Sequence, residues 1–140
     1  MKIFIDTADR DEIREACSWG IVDGLTTNPS LIRKAVEARR DENLEIESYI
    51  ESICRLVPGP VSLEVISLTA EAMVAEAIEL YERFNPLKSN VVIKIPVSPN
   101  DGTRSELDFD GLKAIRQLAE VQRGGWRPDR AGTAAFGDSR

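Results

Sequence analysis

The sequence predicts an α/β fold on a parallel sheet, and three observations carry that prediction. Four short β-branched runs alternate with amphipathic helical stretches, strand before helix each time, and such alternation means parallel strands joined by right-handed crossovers. The last run, Val91-Val92-Ile93-Lys94-Ile95-Pro96, is nearly all apolar, as suits a strand covered on both faces. No glycine-rich dinucleotide or phosphate loop follows any run, which weighs against nucleotide-binding sheets. A doubly wound sheet and a (β/α) barrel both satisfy this pattern.

Lys2 to Asp6 reads as the first strand. Asp9, with Glu12 three residues on, is close to a capping box, and Ile13, Ala16 and Cys17 form the stripe of a helix that Gly20 ends. Ile21 to Asn28 is a second short strand, starting near Gly24, and Thr26-Thr27-Asn28-Pro29-Ser30 follows as a turn. Pro29 disfavours helix at Asn28 and suits the first turn of the helix through Leu31, Ile32 and Val36. Glu37 to Asn43 is charged and expected to be exposed. Ile46, Tyr49, Ile50, Ile53 and Val57 space as one helix face, stopped by Pro58-Gly59-Pro60. Val61 to Ile66 is the third strand. Ala70 to Phe84 is a helix with Met73, Val74, Ala77, Ile78 and Tyr81 as its stripe, ended by Asn85-Pro86. After the fourth strand, Ser98 to Asp108 reads as a polar loop. Gly111 to Val121 reads as a helix with Leu112, Ile115, Leu118 and Ala119 inward. From Gln122 the Gly/Arg-rich composition reads as a disordered tail.

At 140 residues, 42% hydrophobic and 30% charged, the chain suffices for one domain with a core. A net charge of -6 argues against nucleic acid and anionic membrane surfaces as partners. No apolar run is long enough to span a bilayer and no signal peptide opens the sequence, so the expected location is cytoplasmic. Cys17 and Cys54 read as small core residues. There is no histidine, which removes histidine-dependent triads and most zinc sites. Acid–base chemistry must then use carboxylates, lysine, tyrosine or water.

Strand alternation gathers the ionisable residues. Asp6 shares a face with Phe4, Glu64 with Ser62, and Lys94 with Val92, while the opposite faces are aliphatic. An acid, an acid and a lysine, each towards the end of its strand, suggest one polar pocket. In a barrel this face is the interior, and the C-terminal mouth is where active sites sit. A lysine withdrawn from water there has its neutral amine within reach and can form a Schiff base. Asp6 can exchange a proton with a substrate hydroxyl, Glu64 can act through a water, and Asn28 and Thr26 can hydrogen-bond sugar hydroxyls. The same residues also fit a structural ion pair, an edge lysine reaching water, and local turn chemistry at Thr-Asn-Pro.

Ile3-Phe4-Ile5-Asp6-Thr7-Ala8, Asp23-Gly24-Leu25-Thr26-Thr27-Asn28-Pro29-Ser30-Leu31-Ile32, Val61-Ser62-Leu63-Glu64-Val65 and Val91-Val92-Ile93-Lys94-Ile95-Pro96 together resemble the short transaldolases, grouped with fructose-6-phosphate aldolase. The resemblance runs from Met1 to about Ala119. It implies a (β/α) barrel of the class I aldolase type, here truncated to about four βα units over residues 1–121, followed by a non-homologous tail over 122–140. It implies that Lys94 forms the Schiff base, that Asp6 transfers the proton, and that Asn28 and Thr26 bind substrate. Glu64 stands where transaldolases have glutamate and the aldolase relatives have glutamine. The implied reaction moves a dihydroxyacetone unit between sugar phosphates, in the pentose phosphate pathway, with no metal and no cofactor. The implied partners are sugar-phosphate substrates and, for a full barrel, further copies in a homo-oligomer. A fructose-6-phosphate aldolase and an inactive fragment are the alternatives. A complete barrel needs eight strands and usually about 250 residues. The family's later arginine and serine positions that bind the substrate phosphate have no counterpart here.

Overall fold

Residues 1–39, 44–97 and 109–124 are described by the computed structural model. The elements run β1 (Phe4–Asp6), α1 (Arg10–Ser18), β2 (Gly24–Thr26), α2 (Pro29–Glu37), α3 (Ile46–Leu56), β3 (Val61–Glu64), α4 (Ala70–Phe84), a 3₁₀ turn (Asn85–Leu87), β4 (Val91–Lys94) and α5 (Asp110–Arg123). The loop expected at Ser98–Asp108, the end of the charged stretch at 40–43 and the tail over 125–140 lie outside the described residues. No described helix is long and apolar enough to cross a membrane.

The four strands form one parallel sheet in the order β1-β2-β3-β4. Each new strand is added on the same side of the last. A doubly wound sheet reverses direction at a switch point; this one does not, and it grows as a (β/α) barrel grows. The sequential order therefore separates the two architectures that the residue pattern left open.

Local chemistry sets the helix ends. Asp9 Oδ1 accepts from the N–H of Asp11 (2.7 Å) and of Glu12 (3.1 Å), capping α1. The return arm of the expected capping box is relayed. The Asp9 N–H donates to Thr7 Oγ1 at 3.1 Å, and the Thr7 hydroxyl donates to Glu12 Oε2 at 2.6 Å. Gly20 follows α1 at a φ of 71°, a backbone that only glycine adopts without strain. Pro29 opens α2, where its missing N–H is not needed.

The aliphatic strand faces and the helices make one core. Leu25, Val61, Leu63, Val91 and Ile93 are buried with Ile13, Tyr49, Ile53, Met73, Ala77, Tyr81 and Phe84. The fully buried Tyr49 donates its hydroxyl to Ala8 O at 2.9 Å, tying α3 to the start of α1. Ile46, expected on the buried face of α3, is instead half exposed at its first turn.

Two other expectations change. The fourth strand is not covered on both faces: Val91 and Ile93 are buried, while Val92 and Lys94 are partly exposed. No second layer covers that side of the sheet among the described residues. The buried face of α5 is also rotated from the expected one. Gly111, Ala114 and Leu118 are buried, whereas Leu112 and Ile115 are exposed. The cause is close approach. A Cβ on Gly111 would lie 1.8 Å from Pro96 O, so the small-residue face of α5 is the one that fits against the rest of the chain.

Candidate active site

Alternate residues of the four strands share the uncovered face, and the register arranges them in rows. Asp6 pairs with Thr26, Thr26 with Ser62, and Ser62 with Val92, so one row crosses the whole sheet. Two residues further along, Glu64 pairs with Lys94. Asn28 lies two residues past Thr26, beyond the end of β2. All five expected residues therefore gather at the C-terminal ends of the strands.

Two pairs are in direct contact. Lys94 Nζ lies 3.1 Å from Glu64 Oε2. The Thr26 hydroxyl donates to Asp6 Oδ1 at 2.9 Å. Asp6 and Lys94 do not meet. They stand on the two edge strands, three strand spacings apart, or roughly 14 Å along a flat sheet. The expectation of an amine held between two acids is thus corrected to an amine held by Glu64 alone, because sequential strand order separates β1 from β4. The amine is not withdrawn from water either: the side chains of Lys94 and Glu64 keep 40% and 23% exposure. Among the described residues nothing lies over the polar face of the four strands, so Lys94 and Glu64 keep this exposure.

Asn28 has a structural task besides any contact with a ligand. Its Oδ1 accepts from the Leu31 N–H at 2.9 Å and caps α2. The cap uses the amide oxygen, so the Nδ2 hydrogens remain for another acceptor. Turn chemistry and ligand binding are compatible at this residue.

The scaffold around Glu64 and Lys94 is braced by side chains that the sequence did not single out. Glu76, on α4, accepts from the N–H of Ile66 (3.0 Å) and of Ser67 (2.9 Å), fixing the chain just after Glu64. Before β4, Asn85 Oδ1 accepts from the Val91 N–H at 3.1 Å, and Asn90 Nδ2 donates to Cys54 O at 3.0 Å and Gly59 O at 3.1 Å. The Asn90 bonds join distant segments, while the Glu76 and Asn85 bonds close loops between neighbouring elements, so neither helix nor strand period announces them. Ser62 completes the first row between Thr26 and Val92. Its period-two spacing from Glu64 is the signal that marks it.

Chemically, the neutral form of an amine beside a carboxylate can attack a carbonyl while the acid passes protons. A threonine-bound carboxylate on the same face can take a proton from a hydroxyl some distance along a bound chain. The geometry suits an extended polyhydroxylated substrate laid across the strand ends.

Comparison with known proteins agrees with this architecture. Residues 3–122 match the family model described as transaldolase/fructose-6-phosphate aldolase. The chain is 50% identical over 119 residues to a probable transaldolase of Desulfotalea psychrophila, covering 85% of this chain and 46% of that protein. It is 47% identical over 120 residues to a probable transaldolase of Syntrophobacter fumaroxidans, covering 86% and 47%. A probable transaldolase of Desulfosudis oleivorans is 48% identical over 120 residues, with 86% and 46% covered. The chain spans about half the length of these curated relatives.

Proposed function

Because the chain belongs to the transaldolase/fructose-6-phosphate aldolase family, we propose that its uncovered strand face carries Schiff-base chemistry on a sugar phosphate. The observation that carries this reading is the 3.1 Å contact between Lys94 and Glu64 at the C-terminal ends of adjacent parallel strands. In the proposed sequence, the neutral amine of Lys94 attacks the ketone carbon of a ketose phosphate. Loss of water from the carbinolamine, with Glu64 passing protons through a water, leaves a protonated imine. Asp6 takes the proton from the hydroxyl next to the breaking carbon–carbon bond, and the bond's electron pair flows into the imine. The three-carbon unit held on Lys94 then adds to an acceptor aldose phosphate, and hydrolysis frees the lysine. Thr26 orients Asp6 through the 2.9 Å hydrogen bond, and the Asn28 amide binds a sugar hydroxyl.

Glu64, rather than glutamine, favours transfer to a second sugar over release of free dihydroxyacetone. This reading sets the chain in the pentose phosphate pathway and in the cytoplasm, with no metal and no cofactor, with sugar phosphates as its partners, and with homo-oligomers for the full barrel. The domain is proposed to extend to the end of α5 at Arg123, two residues past the expected boundary at 121, because the helix continues through Gln122 and Arg123. An aldolase releasing dihydroxyacetone is the second reading in the same fold, and a fragment without catalysis is the third.

The test is reductive trapping. Incubation with fructose 6-phosphate and borohydride, read by intact mass, gives a covalent adduct of the wild-type chain that disappears in Lys94→Ala. No adduct with wild type overturns the catalytic reading. With the adduct present, free dihydroxyacetone in the absence of an acceptor sugar phosphate decides for the aldolase.

A further inference from the structure

Resting on the Schiff-base reading of Lys94, we propose that Glu76 is a positioning residue of the reaction: from α4 its carboxylate holds the chain just past β3 and so keeps Glu64 against Lys94. Glu64 is the last residue of β3. The next residue, Val65, is buried, and its N–H donates to Lys94 O at 3.2 Å. Beyond it the chain leaves the sheet. There the Ile66 N–H donates to both carboxylate oxygens of Glu76, at 3.0 and 3.1 Å, and the Ser67 N–H donates to Oε2 at 2.9 Å. The grip therefore begins two residues from Glu64.

The helix aims Glu76 at this point. Glu76 lies three residues past Met73 and beside Ala77, both fully buried, so it stands at the border of the buried face of α4. Side chains on a helix lean towards its N-terminus, and the N-terminus of α4 is where the connection from β3 arrives. Folding alone does not require a charge here. Ile66 is 68% exposed, so water has access to this turn and can satisfy an N–H that loses its partner. The carboxylate adds a fixed place, through charge-assisted bonds to two successive N–H groups.

The reaction needs that place. A contact open to water between two flexible side chains holds its geometry weakly, and the side chains of Lys94 and Glu64 are both in reach of water. Their 3.1 Å separation must then come from the backbones beneath them. The two residues are register partners, and on the β3 side the Val65–Lys94 bond and the Glu76 grip are consecutive holds. A misplacement of about 1 Å slows a reaction about a hundredfold, even when its origin lies away from the reacting atoms.

The test is the rate of borohydride trapping by the full chain, followed across fructose 6-phosphate concentration. Glu76→Ala should slow trapping at saturation at least about tenfold, with the half-saturating concentration unchanged. Glu76→Gln keeps one oxygen acceptor and should recover part of the loss. Glu79→Ala, at an exposed position of the same helix, should match wild type. Wild-type trapping in Glu76→Ala overturns the proposal. So does a loss that only follows the unfolded fraction seen by circular dichroism, with Glu76→Gln no better than Glu76→Ala. Should Glu76→Ala fail to fold, Glu76→Asp decides: its carboxylate keeps the charge and loses the reach, so trapping at the wild-type rate overturns the proposal. A second readout needs no chemistry. Glu64→Gln marks where the NMR signal of the Lys94 ε-methylene falls without the ion pair, and Glu76→Ala should move the signal towards that position. No adduct with wild type overturns the Schiff-base reading, and the Lys94 signal then decides by itself whether Glu76 sets the pair. An unmoved Lys94 signal in Glu76→Ala overturns the role of Glu76 whatever the trapping shows.

Discussion

Glu64 and Lys94 are register partners on adjacent parallel strands, and their charges meet at 3.1 Å on the open face of the sheet. Ion pairs with this much contact with water contribute about 0–1 kcal/mol. Lys94→Met and Glu64→Gln are therefore expected to shift the urea-unfolding free energy by less than about 1 kcal/mol each. Lys94→Met should nevertheless abolish the borohydride-trapped adduct, and Glu64→Gln should slow its formation. A large loss of stability in either variant would mean that the pair is structural.

Asn28 separates its two tasks by substitution. Asn28→Ala removes the cap of α2 and should cost about 1 kcal/mol in chemical denaturation. Asn28→Asp keeps a capping oxygen, so its stability should stay within about 0.5 kcal/mol of wild type. Both lose the amide donor, so both should trap less adduct at a given fructose 6-phosphate concentration. Wild-type trapping in Asn28→Asp would remove the amide from substrate binding.

Gly59 is a steric requirement of the sheet. A Cβ there would lie 1.7 Å from Asp23 O. Asp23 cannot yield freely, because its N–H donates to Ile3 O at 2.8 Å and its Oδ2 accepts from the Ile3 N–H at 2.6 Å. Gly59→Ala is expected to destabilise the chain by about 1–3 kcal/mol, as overpacking does. Faster amide exchange in β1 and β2 would show where the strain goes.

The two thiols should differ. Burial pushes the Cys54 thiol up to about 11 from its ordinary 9.0, while Cys17 is only partly covered. At neutral pH a disulfide reagent should modify Cys17 in the native chain and reach Cys54 only after denaturant is added. A folded-state value above the unfolded one means that the unfolded chain loses its proton first. Cys54 therefore favours the folded state fully below pH 9 and loses that contribution as pH rises from about 9 to about 11. Burial raises Tyr81 as well, so the loss should steepen above its ordinary 10.0. Cys54→Ala should flatten the fall between pH 9 and 10.

Much of this was legible because it is local. Period-two alternation put Glu64 and Lys94 on the face opposite the aliphatic residues, and the burial of Val61, Leu63, Val91 and Ile93 agrees. Asp9 marks its helix start by capping chemistry that spans three residues, and Pro29 marks the next by its fixed φ and missing N–H in the first turn. The relay through Thr7 was not legible, since it requires knowing that its hydroxyl turns to Glu12. The braces from Glu76, Asn85 and Asn90 were not legible either, because their partners are set by packing.

Residue type and spacing alone decided the order of strands and helices, which strand faces are polar, and the capped start at Asp9. Those properties depend on neighbours within a turn or a pleat, and the chain carries them wherever it goes. Only the assembled molecule decided that the strands lie in sequential order, that Lys94 meets Glu64 and not Asp6, and that α5 turns Gly111 and Ala114 inward while Leu112 and Ile115 face out. Each of these depends on which distant surface arrives beside the residue, and on how closely two backbones can approach there.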